Sequence, residues 1–89
     1  MEERKRSIFV VDDEEPIRNV LNTHLSKEGF SVIQTSGGNS VFDTLKNSAF
    51  DIVISDIRMP EVDGIRVLEF VKENFDTTPV VMLTGLTDV

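Results

Sequence analysis

Four short apolar segments alternate along the chain with stretches in which apolar residues recur at helical spacing. The apolar segments cover residues 7–11, 30–33, 50–54 and 80–83. Short, nearly continuous apolar runs of this kind favour strands that are buried on both faces of a sheet. We therefore predict four β-strands. Acidic residues follow the first strand at once, and Ser55 and Asp56 follow the third.

The segments between these strands predict three helices. Acidic residues and Pro16 favour a helix start at residues 13–16, and Gly29 favours its end. Apolar residues then lie on one face of each helix; they are Ile17, Val20, Leu21 and Leu25 in the first, Val41, Phe42 and Leu45 in the second, and Ile65, Leu68 and Val71 in the third. Regular alternation of strands and helices predicts an α/β domain with a parallel sheet.

Length and composition restrict the class of protein. The 89 residues are enough for one domain, which we place at residues 7–89 after a lead-in at residues 1–6. There is no cysteine, which excludes disulfides and thiolate metal sites. No apolar run is long enough to span a membrane, and the start of the chain lacks the apolar segment of a secretory signal. We expect a cytoplasmic domain that does not bind membranes.

The charge is strongly acidic and unevenly distributed. A net charge of −7 argues against direct binding of nucleic acid by this domain, and we interpret the basic residues 4–6 as a solvated lead-in. Acidic residues gather in two clusters that lie far apart in sequence, one at residues 12–15 and one formed by Asp56, Glu61 and Asp63. This distribution is typical of a chain that binds a cation.

Carboxylates at the ends of two predicted strands predict a magnesium site. Ligands of an open parallel sheet bind at the carboxyl ends of its strands, where Asp12, Asp13 and Asp56 meet if strands one and three are neighbours. Their mutual repulsion favours a bound cation, and hard oxygen ligands suit Mg²⁺. A carboxylate there is also a possible nucleophile towards phosphorus. The alternatives are that Asp13 caps a helix, Asp12 ends a strand and Asp56 is an ordinary loop acid.

Three motifs in the same order resemble the signatures of response-regulator receiver domains, which act in two-component signalling. They are Val-Val-Asp-Asp-Glu at residues 10–14, Ile-Ser-Asp-Ile-Arg-Met-Pro at 54–60 with Asp-Gly at 63–64, and Val-Val-Met-Leu-Thr-Gly at 80–85. The resemblance runs from about Ser7 to the last residue. It implies a flavodoxin-like, doubly wound parallel sheet with strand order 2-1-3-4.

The resemblance also implies a function for individual residues. Asp56 matches the phosphoacceptor, which receives its phosphoryl group from a phosphohistidine on a sensor histidine kinase. Asp12 and Asp13 would hold Mg²⁺ together with Asp56, and the backbone carbonyl of Arg58 would supply a further ligand. Thr84 matches the hydroxyl residue that hydrogen-bonds the bound phosphoryl group. The domain would then switch a downstream output, such as transcription.

The chain departs from the family pattern at its end. A complete receiver has five β-α units, and this chain stops after the fourth strand, so the fifth strand and the last two helices have no counterpart in it. The family's active-site lysine, at the end of the fifth strand, has none either. The fourth strand then becomes an exposed edge, and we expect the fragment to self-associate through residues 80–83.

Two other functions compete with the phosphoacceptor hypothesis. The first is a phosphohydrolase with an aspartyl nucleophile, but such sites usually carry an acid/base Asp two residues after the nucleophile, and Arg58 stands there. The second is an interaction module with a receiver-like fold that self-associates without being phosphorylated. The intact acidic trio speaks against this second function for a parent protein.

Overall fold

A computed structural model of the chain describes residues 5–38, 40–57 and 63–83. Its seven elements alternate as the sequence predicts. They are β1 (Ser7–Val11), α1 (Glu15–Lys27), β2 (Ser31–Thr35), α2 (Ser40–Asn47), β3 (Ile52–Asp56), α3 (Gly64–Asn74) and β4 (Val80–Leu83). No helix in the described ranges has the length and apolarity needed to cross a membrane.

The four strands form one parallel sheet in the order β2-β1-β3-β4. This confirms the predicted flavodoxin-like order. Val11 at the end of β1 lies beside Ser55 of β3. The residues that follow these two, Asp12 and Asp56, therefore reach the same edge of the sheet. The register of the central pair therefore decides which side chains can meet at that edge.

Two strands occupy positions slightly different from those predicted. β3 begins and ends two residues later than the apolar run at 50–54, and β2 begins one residue later and ends two residues later than predicted. Phe50 lies before β3 and stacks on Phe9, with ring centroids 4.8 Å apart and planes inclined by 12°. Its apolar character therefore serves core packing rather than strand pairing, and Asp56 ends the strand instead of following it.

The face of the sheet that carries α2 and α3 holds the larger core. Residues of β1, β3 and the two helices are buried together there; they are Phe9, Val11, Val41, Leu45, Val53, Val67 and Val71. The rings of Phe42 and Phe70 meet edge to face at 5.3 Å between α2 and α3. Because this face is well packed, it fixes the positions of β1 and β3 relative to each other.

The opposite face is covered by α1 and is packed less completely. Its buried residues are Ile8, Val10 and Ile54, against which Leu21 and Leu25 of α1 pack. Among the described residues of α1 none is fully buried. Ile17 and Val20, which we predicted to face the core, keep 40% and 55% of their surface exposed. The apolar face of α1 is thus wider than the part of the sheet that covers it.

Gly29 ends α1, as the sequence predicts. Its φ of +96° lies in the left-handed region, which costs glycine little and other residues more. The backbone N–H groups of Glu28, Gly29 and Phe30 all donate to carbonyl oxygens in the last turn of α1. These bonds satisfy carbonyls that would otherwise lack partners and turn the chain into β2.

Candidate metal centre

Three carboxylates meet at the carboxyl edge of the sheet. One side-chain oxygen from each of Asp12, Asp13 and Asp56 lies within 4.8 Å of the other two. Asp12 is 3% exposed and Asp56 is 7% exposed, whereas Asp13 is open to solvent. The structure thus brings together the three acidic side chains that the sequence singled out, two of them on buried residues and one on an exposed residue.

Asp12 is fixed where the chain leaves the sheet. Its backbone N–H donates to the carbonyl of Thr35 at 3.2 Å, which continues the pairing of β1 with β2. Its Oδ1 accepts from the backbone N–H of Glu14 at 2.9 Å. This side-chain bond turns the chain towards α1, as Asp does in many turns. Glu14, not Asp13, is the residue that precedes α1, and its side chain makes no capping bond.

Asp56 is the last residue of β3. The hydroxyl of Ser55, which is completely buried, donates to the backbone carbonyl of Asp56 at 3.0 Å. The backbone N–H of the next residue, Ile57, donates to Leu83 of β4 at 3.1 Å. A strand end held in this way presents its side chain at a constant position, which a metal ligand or a nucleophile requires.

The start of α3 lies against the backbone of Asp56. Asp63 caps the helix by accepting from the N–H of Ile65 at 2.9 Å, and the N–H of Gly64 donates to the carbonyl of Ile57 at 2.9 Å. A Cβ atom on Gly64 would overlap the carbonyl oxygen of Asp56 and come within 2.8 Å of the Cα of Ile57. Gly64 is therefore required by the close approach of two backbones and not by a turn alone.

Burial and like charge act together on Asp12. Its pKa is raised above the ordinary value of 3.8, first by burial and then by the negative charges of Asp56, Asp13 and Glu14, while the backbone bond from Glu14 lowers it. The carboxylate is thus disfavoured in its charged form by its surroundings. A cation beside it would offset both effects.

Other residues of interest have different positions. Arg58 and Thr84, which the family resemblance implies as a ligand and a hydroxyl donor, lie outside the described residues. His24 is exposed on α1. Sequence reasoning missed Arg18, whose guanidinium contacts the backbone of Asp12. A basic residue six positions after that Asp, in an otherwise acidic stretch, was the available signal.

The donor set fits a small hard cation. It consists of carboxylate oxygens, and two of the three carboxylates belong to buried residues that are fixed by the sheet. Mg²⁺ prefers oxygen ligands, keeps several waters and is commonly held by one or two carboxylates plus phosphate oxygens. Waters and a phosphoryl group need access to the ion, and Asp13 is the member of the cluster that is exposed to solvent.

The sheet order and the acidic edge together define a flavodoxin-like α/β protein with a cluster of carboxylates at its strand ends. The family model for the response regulator receiver domain matches residues 8–89. This chain therefore belongs to the response regulator receiver domain family. Receiver domains are in general signalling modules and not enzymes, and they bind Mg²⁺ at an acidic pocket.

The curated relatives are transcriptional regulators. The chain is 36% identical over 86 residues to the DNA-binding transcriptional regulator NtrC of Proteus hauseri. The match covers 97% of this chain and 18% of NtrC. It is 39% identical over 87 residues to the probable transcriptional regulator ycf27 of Guillardia theta, with 98% and 34% covered. The chain thus spans between about a fifth and a third of the length of these relatives.

A similar solved structure is that of the response regulator TrrA of Thermotoga maritima, in complex with Mg(2+)-BeF. It is 29% identical, the TM-score is 0.85, and the match covers 92% of this chain and 71% of TrrA. TrrA has also been solved in complex with the histidine kinase ThkA. That comparison gives 30% identity, a TM-score of 0.82, and coverage of 90% of this chain and 69% of the other.

Replacing Gly64 with Ala tests the close approach of α3 to Asp56. We expect Gly64→Ala to lower the free energy of unfolding by about 2–3 kcal/mol, because backbone atoms must move to accommodate the methyl group. Gly29→Ala is the control, since a Cβ at Gly29 meets nothing within 4 Å and costs only the left-handed strain of about 1–2 kcal/mol. Urea unfolding gives both values, and backbone NMR shifts at Asp56 should change in the Gly64 variant alone.

The pKa of Asp12 predicts a pH-dependent stability of the protein without metal. Because this pKa is raised on folding, the folded state binds the proton more tightly, and stability falls as pH rises from 3.8 through the folded pKa. Asp12→Asn removes that loss and keeps the acceptor for Glu14. We expect Asp12→Asn to raise the midpoint of thermal unfolding by several degrees at pH 7 in EDTA.

The same measurement below pH 3.8 serves as the control, since Asp12 is then protonated in both states and the two proteins should differ little. Asp76→Asn changes an exposed carboxylate and should leave the midpoint unchanged at both pH values. Equal midpoints for Asp12→Asn and the unmodified chain at pH 7 would contradict the electrostatic argument.

Proposed function

We propose that this chain is the phosphoacceptor domain of a two-component response regulator, in which phosphorylation of Asp56 switches a downstream output. The observation that carries the proposal is the cluster of Asp12, Asp13 and Asp56, whose oxygens lie within 4.8 Å of one another at the carboxyl edge of the sheet. Membership of the receiver family supports the same assignment. Phosphorylation would act by shifting an equilibrium between two conformations.

In this proposal Asp12, Asp13, Asp56 and the backbone carbonyl of Arg58 would hold Mg²⁺, and the hydroxyl of Thr84 would hydrogen-bond the phosphoryl group. The oxygen donors and the raised pKa of Asp12 support a cation at the cluster. The complex of the related TrrA with Mg(2+)-BeF supports this choice of ion. When bound, the ion would offset the negative charge of the carboxylates and of the incoming phosphoryl oxygens.

The chemical step is a transfer of the phosphoryl group to Asp56. A carboxylate oxygen of Asp56 attacks the phosphorus, and the bond between phosphorus and the histidine nitrogen of the donor breaks. The imidazole leaves with the electron pair, and an acyl phosphate remains on Asp56. The contribution of the fold is to orient the nucleophile, because β3 is fixed by β1 on one side and β4 on the other.

A sensor histidine kinase is the proposed partner. The structure of TrrA with the histidine kinase ThkA supports an interaction of this kind for a similar receiver. The relatives NtrC and ycf27 support transcription as the regulated output of a longer protein. The net charge of −7 supports a domain that does not itself bind nucleic acid. A cytoplasmic location and the domain limits at residues 7–89 remain predictions.

The chain accepts a phosphoryl group in this proposal and does not turn over a substrate. The phosphohydrolase hypothesis gains no support, because Arg58 stands where such enzymes usually carry an acid/base Asp. The hypothesis of an interaction module without phosphorylation is not favoured either, since the three carboxylates are brought together.

Self-association is proposed as a further property of the 89-residue chain. Within the described part of the chain β4 pairs with β3 on one side and forms the edge of the sheet. Val81 faces the side of the sheet that carries α1 and is 48% exposed, and Ile17 and Val20 of α1 are exposed on the same side. An exposed edge next to apolar surface favours pairing with a second copy.

Phosphorylation can be tested directly on this chain by mass spectrometry. We expect acetyl phosphate and Mg²⁺ to add one phosphoryl group, because Asp56 ends β3 and lies in the acidic cluster beside the exposed Asp13. Asp56→Asn should abolish the addition, and Asp76→Asn should leave it intact. The proposed function would be overturned if the mass stayed unmodified both for this chain and for a longer version that contains all five β-α units of a receiver.

Self-association can be measured by sedimentation velocity over a range of concentrations. We expect the mean mass to rise with concentration, and Val81→Glu to weaken the association by about tenfold, because a charge on the edge strand must be desolvated. Ile65→Glu is the matched control, since Ile65 is 43% exposed on α3. A strictly monomeric profile at high concentration would contradict this proposal.

A further inference from the structure

Arg18 contacts the backbone beside the acidic cluster. Its Nη1 donates to the carbonyl oxygen of Asp12 at 2.7 Å, and its side chain is partly buried. A bond this short from a guanidinium is charge-assisted and stronger than a neutral one. Arg18 is the fourth residue of α1, so a single bond ties the helix to the residue that follows β1.

This bond completes the fixation of Asp12. Its N–H is bound to Thr35 of β2 and its Oδ1 accepts from Glu14. The Asp12 carbonyl lies between the last strand bond and the first helical bond, which joins the N–H of Arg18 to the carbonyl of Glu14. Among the described residues, the guanidinium therefore takes the place of a backbone donor at a point where neither strand nor helix supplies one.

The charge of Arg18 is unfavourably placed. It lies near the start of α1, where the helix dipole disfavours a cation. It also brings a positive charge towards three carboxylates that are proposed to bind a second cation. From charge alone, Arg18 should weaken the binding of a metal ion. If Arg18 instead helps by holding Asp12 in place, it should strengthen the binding of the metal ion. The two effects of Arg18 on metal affinity are opposite in sign, so an experiment can separate them.

We infer that Arg18 is a positioning residue, which holds the Asp12 carbonyl so that the Asp12 carboxylate keeps its place in the cluster and binds Mg²⁺ more tightly. The inference rests on the proposed function, because it assumes a cation at the cluster. Residues that orient a metal ligand typically change metal affinity by about 10–100-fold when they are replaced.

The test is an Mg²⁺ titration of the unmodified chain and three variants, followed by calorimetry and by the amide NMR signals of residues 12–14. Arg18→Met keeps the aliphatic stem and removes the donors, and we expect about tenfold weaker binding. Arg18→Lys keeps the charge and one donor group and should recover part of the affinity. Arg66→Met, on the exposed surface of α3, removes the same charge and should bind like the unmodified chain.

Equal or tighter binding by Arg18→Met would overturn the inference, since tighter binding is the result that charge alone predicts. A second measurement needs no metal. In EDTA, hydrogen exchange at the Glu14 amide should be faster in Arg18→Met than in Arg66→Met, while the buried Val53 amide, bound to the Pro79 carbonyl, exchanges equally in both. An unchanged Glu14 rate would count against positioning.

The two measurements separate this inference from the proposed function. If the unmodified chain shows no saturable Mg²⁺ binding, and Asp56→Asn gives the same trace, the proposed metal site is wrong and the exchange rates decide whether Arg18 positions Asp12. If the unmodified chain binds Mg²⁺ and Arg18→Met binds equally well, the metal site stands and the assignment of Arg18 is wrong.

Discussion

The parallel pairing of β1 with β3 forces like charges together, and most features of the site follow from that constraint. Val11 and Ser55 are register partners, so Asp12 and Asp56, which follow them in sequence, are adjacent. This arrangement raises the pKa of Asp12, because the carboxylate is buried and lies near other negative charges. It also surrounds both acids with backbone bonds that leave them little freedom to separate. A cluster that cannot relax by moving apart can relax by binding a cation.

The two faces of the sheet contribute differently to that constraint. Among the described residues, the face with α2 and α3 buries a cluster of seven that includes Phe9 and Val53, whereas the face with α1 buries three. The first face therefore fixes the strands, and the second leaves α1 attached by fewer apolar contacts. Bonds at the ends of α1, including that of Arg18 to Asp12, are then a larger share of what holds this helix in place.

Much of this structure could be predicted from local patterns. The strands β1 and β4 have the predicted bounds, and the acidic trio was identified because its members come at the ends of apolar runs. The bounds of β3 could not be predicted from the apolar run. Phe50 belongs to that run, but it lies before the strand and packs its ring on Phe9. The bond from Arg18 and the overlap that excludes a side chain at Gly64 depend on distances between elements, and neither leaves a periodic signal.

The contact between Gly64 and Asp56 has a mechanical consequence. The first turn of α3 lies so close to the peptide group of Asp56 that no Cβ fits at Gly64, and the carbonyl of the next residue, Ile57, is bound to the Gly64 N–H. Interiors without voids transmit strain instead of absorbing it. We therefore expect a displacement of the main chain at the end of β3 to move α3 as a rigid body. The far end of that helix, at Asn74, would then move with the end of β3.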